Sequence, residues 1–353
     1  MKKTETGYVA ESTAAERPPE LDLPAEPSAS PAYPEPLRGF CLLVAMLVAS
    51  LYVAGIAETA LVTGVFFILF PELGALAQDT LTRPGGRWSN APILLVVTPS
   101  LAAVLGILVS RHCSYGYLSV LLAVGGAVAV IKLLQSPITP SISAALLPVV
   151  FGEKSWLYPP AVLVGTGALV LLCVVWKRSP VVCRHVSNAP QGSSARSPEL
   201  PRAGYAYLAL ATFLVLAVWC VKFTGLRFLL FPPLAVLGFE MFSHPRTCSW
   251  SGRPLLMPLA CFLSASGGFL FWRIGGSNPF VAAASMAWAF LVLYVLKVHI
   301  PPAMAVALIP LIMTRPTIAF PLAVASGTML LTICYLLYRW LLKLEPGWPA
   351  GRG

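Results

Sequence analysis

The sequence predicts an all-α fold: a polytopic transmembrane helical bundle built from two internal repeats, each with about five or six segments including a half-helix. Three observations predict it. The chain of 353 residues is 57% hydrophobic and only 11% charged, with a mean hydropathy of +0.78, whereas soluble domains are about 25% charged. Several apolar runs approach the roughly 20 residues a helix needs to cross a bilayer. The third observation is that the order of segments, and many of their residues, recur in the second half.

Residues 1–36 are rich in Pro, Glu, Ala and Ser and contain no apolar run. Such a composition cannot bury enough surface to offset its ordering entropy and reads as a disordered tail. It fits neither a secretory signal nor a transit peptide. The first membrane repeat occupies 37–177, with apolar segments Gly39–Ile56, Ala60–Ala77, Ala91–Val109, Gly116–Leu134, Pro140–Val150 and Leu157–Val175. A basic polar linker, 178–203, separates it from the second repeat, 204–343. There the segments are Tyr205–Val221, Thr224–Met241, Pro254–Phe271, Phe280–Leu296, Pro302–Met313 and Ile318–Leu342, followed by a short tail, 344–353.

The repeat extends to individual residues. Leu134–Arg178 aligned on Leu296–Trp340 at a gapless offset of 162 gives 12 identities in 45 positions, including Pro140/Pro302, Ala145/Ala307, Pro148/Pro310, Pro159/Pro321 and Gly165/Gly327. Upstream the offset is 161, pairing Leu69-Phe70-Pro71 with Leu230-Phe231-Pro232 and Asp79 with Glu240. Apolar composition alone rarely aligns Pro, Gly and Trp in one order, so the pattern reads as an internal duplication.

The fifth segment of each repeat is too short to span. Eleven residues from Pro140 to Val150 make about 16 Å of helix, half the hydrocarbon thickness. Proline suits a first helical turn, so Pro140 and Pro301-Pro302 read as starts of half-helices whose free N–H groups could face an anion. Paired discontinuous segments in two halves are the sequence pointer to a transport site. The alternative is a pair of complete, proline-kinked helices. Phe70-Pro71 and Phe231-Pro232-Pro233 read as kinks within the second segments, with a second broken helix in each half as the alternative. Outside the tail, 21 Lys and Arg face 7 acids, a balance of +14 that fits the excess of basic residues in cytoplasmic loops. Parallel and inverted repeats are both open at this point.

Candidate substrate-binding residues cluster at these half-helix starts: Lys297, His299, Pro301 and Pro302 in the second copy, Lys132, Pro140, Ser141 and Ser143 in the first. Histidine titrates near physiological pH and could contact an anion or carry a proton; it could equally cap polar backbone. Lys132 and Lys297 end corresponding segments, where lysine can also snorkel to the headgroups. Asp79 and Glu240 are ion-coupling candidates, because intramembrane ionisable residues are costly and usually functional; solvated ends paired with Arg83, Arg246 or His244 are the plainer alternative. Arg227 is a further candidate without a copy, since Phe66 stands at its equivalent. Eight scattered cysteines form no CxxC and behave as small hydrophobes, so neither disulfides nor a metal site is expected. No HExxH, GxSxG, P-loop or dinucleotide fingerprint occurs. No enzyme, no cofactor and no nucleic-acid partner is therefore expected.

The second repeat resembles the HPP family of integral membrane proteins, named for a His-Pro-Pro motif. The matching stretch is His299-Ile300-Pro301-Pro302-Ala303-Met304-Ala305-Val306-Ala307-Leu308, followed by Pro321 and Gly327-Thr328-Met329-Leu330-Leu331. Leu230–Pro245 with Trp250 and Pro254 is similar to the family's other proline-containing block. Ile300 separates the histidine from the prolines, and Met304 stands where the family often has glycine. The resemblance implies a multi-pass protein of a bacterial plasma membrane that moves a small anion, nitrite-like, through a site between the repeats. A homo-oligomer is compatible with it. The competing expectation is a non-transporting scaffold or sensor module.

Overall fold

The computed structural model describes residues 37–343 apart from 38, 180–181, 183–202, 246–247, 249 and 251–252. The tails and most of the linker lie outside the described residues. Among those described, every regular element is a helix. The half before the linker contains α1 (Phe40–Thr63), α2 (Glu72–Thr82), α3 (Pro92–His112), α4 (Tyr117–Leu133), α5 (Ser141–Phe151) and α6 (Tyr158–Lys177). The half after it contains α7 (Ala203–Thr224), α8 (Pro232–Ser243), α9 (Leu256–Gly275), α10 (Pro279–Leu296), α11 (Pro302–Ile312) and α12 (Ala319–Lys343). Seven of these, α1, α3, α6, α7, α9, α10 and α12, are long and apolar enough to cross a membrane. That is the mark of an integral, multi-pass membrane protein.

Glycine and proline set the breaks. α1 ends where Gly64 turns left-handed at φ 70°, a helix stop that glycine makes without steric cost. A one-turn 3₁₀ helix, Phe66–Ile68, follows, and α2 begins only after Pro71. In the second half the order is the same: a 3₁₀ turn at Arg227–Leu230, then Phe231 extended at ψ 147°, then α8 opening on Pro232. A residue before proline is pushed out of the helical region. These prolines therefore start new helices, and the expectation of kinks inside continuous second segments is corrected. Each half has two short helices, not one.

Burial separates the elements into two tiers. Every residue of α2 and α11 is buried, as are Ser141–Val150 of α5 and Pro232–Phe239 of α8. The long helices surround them and turn apolar stripes outward, such as Leu43, Leu47 and Leu51 on α1 or Leu322, Met329, Ile333 and Leu337 on α12. In water such faces would drive aggregation; against acyl chains they are at home.

Cross-contacts fix the directions. Thr98 Oγ1 lies 2.8 Å from Ser136 Oγ, Ser110 Oγ donates to the Pro148 carbonyl at 3.1 Å, and Arg111 Nη1 donates to the Lys154 carbonyl at 2.8 Å. Residues 136–154 thus run parallel to α3 and finish beside its far end, so α5 does not turn back. α6 returns, because Lys177 Nζ reaches the Ser89 carbonyl at 2.7 Å and Trp176 Nε1 the Leu81 carbonyl at 3.0 Å. Leu37 N–H meets the Thr82 carbonyl at 2.9 Å, which places the start of α1 and the ends of α2 and α6 at one end of the bundle. Across the halves, Lys132 Nζ sits 4.2 Å from the ring centroid of Tyr207, and Lys222 Nζ 4.2 Å from that of Tyr117. α4 and α7 are therefore antiparallel, so both halves enter in the same direction.

The halves interlock through their short helices: α5 packs on α8, and α11 on α2. Within each half the short helix is gripped by a close approach. A Cβ on Gly106 of α3 would stand 2.3 Å from the Ala145 carbonyl oxygen, and one on Gly268 of α9 would stand 2.0 Å from that of Ala307. Small residues let membrane helices approach backbone to backbone.

Candidate functional site

The short helices place the ionisable residues where the halves meet. Asp79 lies in the last turn of α2, and His299 lies in the segment that leads into α11. His299 Nε2 is 3.0 Å from Asp79 Oδ1, and Arg83 Nη1 is 3.9 Å from the same oxygen, one turn along α2. Asp79 is 8% exposed and the His299 side chain 18%, so the pair is largely withdrawn from solvent. An acid from one half thus contacts a base from the other, 220 residues apart.

Its counterpart in position is Glu240 in the last turns of α8. Glu240 Oε2 is 3.4 Å from His244 Nδ1, and Thr139 and Arg87 of the first half face the same carboxylate. Each acid therefore looks across to the loop that precedes the other half's short helix. His299 aligns with Pro137, and Thr139 with Pro301, so the polar partner sits two residues further on in the first half than in the second. Arg246 lies outside the described residues.

The two loops share a backbone conformation. Gln135 at φ 50° and Lys297 at φ 53° are the two non-glycine residues with positive φ among those described, and they are 162 positions apart. Both close the same cap: Ser136 N–H to the Ile131 carbonyl at 2.9 Å, Val298 N–H to the Leu293 carbonyl at 3.1 Å. This is the pattern of a Schellman ending. Ile138 and Ile300 follow, both fully buried. The isoleucine that interrupts His299 and Pro301 is a packing residue with a twin.

One expectation about the half-helix starts is corrected. The N–H groups of Ser141, Ile142 and Ser143 are bonded to the carbonyls of Ile138, Thr139 and Pro140 at 3.0–3.3 Å. Ala303 and Met304 are bonded in the same way to Ile300 and Pro301, at 3.0 and 2.9 Å, while Pro301 and Pro302 have no N–H to offer. The first turns thus satisfy their own donors through 3₁₀-type bonds. Pro140, Pro301 and Pro302 shape the entry and are buried; in this conformation these termini present no free donor ladder to an anion.

The remaining candidates are dispersed. Ser141 Oγ donates to the Ile138 carbonyl at 2.8 Å. Lys297 is exposed and ends α10. Lys132 is exposed over Tyr207, a cation–π contact. Arg227 lies at the C-terminal end of α5, 4.9 Å from the Tyr115 ring centroid, with Nη2 at 3.3 Å from the Val149 carbonyl. A cation there complements the negative end of a helix. Ser143 has a different setting: its hydroxyl is buried beside Glu72, the first residue of α2. Glu72 is a residue that sequence reasoning misses. A signal for it exists, because the aligned position holds Pro233 and a lone acid in an apolar run is costly.

No family model, no curated protein and no solved structure matches this chain.

Proposed function

We propose that the protein is a secondary transporter or channel for a small solute, formed by a tandem duplication whose two copies lie parallel and meet at α2, α5, α8 and α11. The observation that carries this reading is the Asp79–His299 pair: two ionisable groups, one from each half, on short buried elements inside a membrane bundle. Charge in such a place is expensive and is kept where ions or protons move, and interrupted helices at corresponding positions line such sites. The duplication is supported by features that recur at the sequence offset: the two left-handed residues Gln135 and Lys297, the glycine contacts Gly106–Ala145 and Gly268–Ala307, and the reciprocal packing of α5 on α8 and α11 on α2.

The end that carries Arg83, Arg87, Lys132, Lys177, Arg178, Arg253, Lys297 and Arg339 is richer in base than the end with Arg111, Lys154, Lys222, Arg227, Arg273 and Arg315. By the positive-inside rule it faces the cytoplasm. A nitrite-like anion as the solute, the kinship with HPP proteins and a bacterial plasma membrane rest on the resemblance around His299-Ile300-Pro301-Pro302. Purified protein in liposomes tests the reading: nitrite, nitrate, formate and a neutral solute are supplied outside and their uptake followed. Uptake of at least one anion above empty vesicles is expected. Equal leakage from both kinds of vesicle would remove these anions as substrates.

A further inference from the structure

The Asp79–His299 pair does not use the most deeply placed acid of the bundle. Glu72 opens α2 and is 0% exposed, and neither carboxyl oxygen has a hydrogen-bond partner among the described residues. Ser143 of α5, 1% exposed, also has an unbonded hydroxyl, and it is the polar side chain beside Glu72. Tyr158 of α6 is the neighbouring phenol; its own OH is committed to the Ala144 carbonyl at 3.0 Å.

Few other groups could balance a charge at this point. α5 and α11 contain no titratable residue over Ser141–Phe151 and Pro302–Ile312. The one charged residue of α1 is Glu58, which is exposed. From the second half, α11 and α10 bring Leu308 and Met286 against Gly74, two residues on. Asp79 with its partner His299, and Arg83 beyond it, are about two turns or more away along α2, since Asp79 is seven positions after Glu72 and each position adds about 1.5 Å. An ionised carboxylate without cation or donors is strongly disfavoured in such surroundings. A carboxylic acid is tolerated, because it keeps its proton and carries no net charge.

The cluster belongs to one half only. At the corresponding offsets Glu72 faces Pro233, Ser143 faces Ala305 and Tyr158 faces Phe320. Three elements thus exchange polar for apolar residues together, and the second half packs the same space without a titratable group. Packing alone does not need an acid there.

We propose that Glu72 is an internal proton-binding site: its carboxyl holds a proton when the bundle is closed, as here, and releases it when movement of α2 against α5 admits water or the Ser143 hydroxyl as donor. Proton occupancy does not depend on the transport reading; the use of that proton to drive solute movement rests on it.

Infrared difference spectroscopy of the protein in lipid bilayers, titrated through neutral pH, tests occupancy without any solute. A protonated-carboxyl stretch present in the native chain, absent in Glu72→Gln and shifted but retained in Glu72→Asp is the expected result. Ser143→Ala should move the band without removing it. The same band in Glu72→Gln, or a carboxylate signature at Glu72 across the titration, would overturn the proposal; the second would mean that a bound cation balances an ionised acid. In liposomes Glu72→Gln is expected to keep solute exchange at equilibrium and to lose accumulation driven by a pH gradient. Gradient-driven accumulation unchanged in Glu72→Gln would remove the coupling role, even with the band assigned. Absence of flux in the native protein would count against the transport reading, while the infrared band would still decide whether Glu72 holds a proton.

Discussion

Gly268→Ala is expected to destabilise the folded protein by about 3 kcal/mol, read as a large fall in melting temperature in detergent and a loss of monodisperse material. The reason is geometric. A single added methyl carbon would sit 2.0 Å from the Ala307 carbonyl oxygen, and the obstacle is backbone of α11, not the movable end of a side chain. α9 and α11 must separate, and α11 in turn holds α2 and the loop bearing His299. Gly106→Ala meets Ala145 at 2.3 Å and should behave alike. By contrast Gly125→Ala and Gly167→Ala, where nothing lies within 4 Å of the added carbon, should be neutral or slightly stabilising, since alanine is the better helix former by up to ~1 kcal/mol. A flat melting temperature in Gly268→Ala would mean that the helices do not approach as described.

The second large effect is expected at Asp79. Asp79→Asn keeps the shape of the side chain and removes the charge that faces His299 at 3.0 Å. With the protein acting as the proposed transporter, solute flux should fall at least about tenfold, which corresponds to roughly 1.4 kcal/mol in the barrier, while the yield of folded protein is preserved. Truncation to Ala should in addition cost about 2 kcal/mol of stability, because it leaves His299 with one buried partner fewer. His299→Gln should reproduce the flux defect. If Asp79→Asn and His299→Gln each slow transport but the double variant is no slower than either, the two act as one unit; additive effects would separate them.

The multi-pass helical architecture is legible in the sequence because lipid demands long apolar runs, and those runs are visible without any knowledge of packing. Pro140 and Pro302 also mark where α5 and α11 begin, since proline acts locally at a helix start. The second pair of short helices is harder to read. Hydropathy continues unbroken from Ala60 to Ala77 and from Thr224 to Met241, and the interruption depends on Gly64 adopting a left-handed turn and on Phe231 being held extended before Pro232. Whether a half-helix terminus offers free N–H groups depends on the fold of the preceding loop, and Ile138–Pro140 and Ile300–Pro301 consume those donors themselves.

The candidate site shows the same division. Asp79, Glu240 and His299 stand out in the sequence as ionisable residues in apolar surroundings. That Asp79 meets His299, and not only Arg83, follows from the crossing of α11 onto α2, a contact between residues 220 positions apart that no local pattern encodes. Lys132 and Arg227 share the chemistry of site residues but sit over Tyr207 and Tyr115. Ser143 stands out on its own as a hydroxyl at a half-helix start, whereas Glu72 and Tyr158 are visible only when each half is used as a control for the other.

All of this depends on α5 and α11 continuing to the end of the bundle opposite the linker. Single cysteines at Lys154 and Arg315, in a background with the native cysteines replaced, can be labelled with a membrane-impermeant maleimide in oriented vesicles. Both are expected to react from the side opposite that of a cysteine at Arg178, and from the same side as each other. Labelling of Lys154 or Arg315 from the Arg178 side would show that the short helix turns back, and would contradict the parallel arrangement of the two halves.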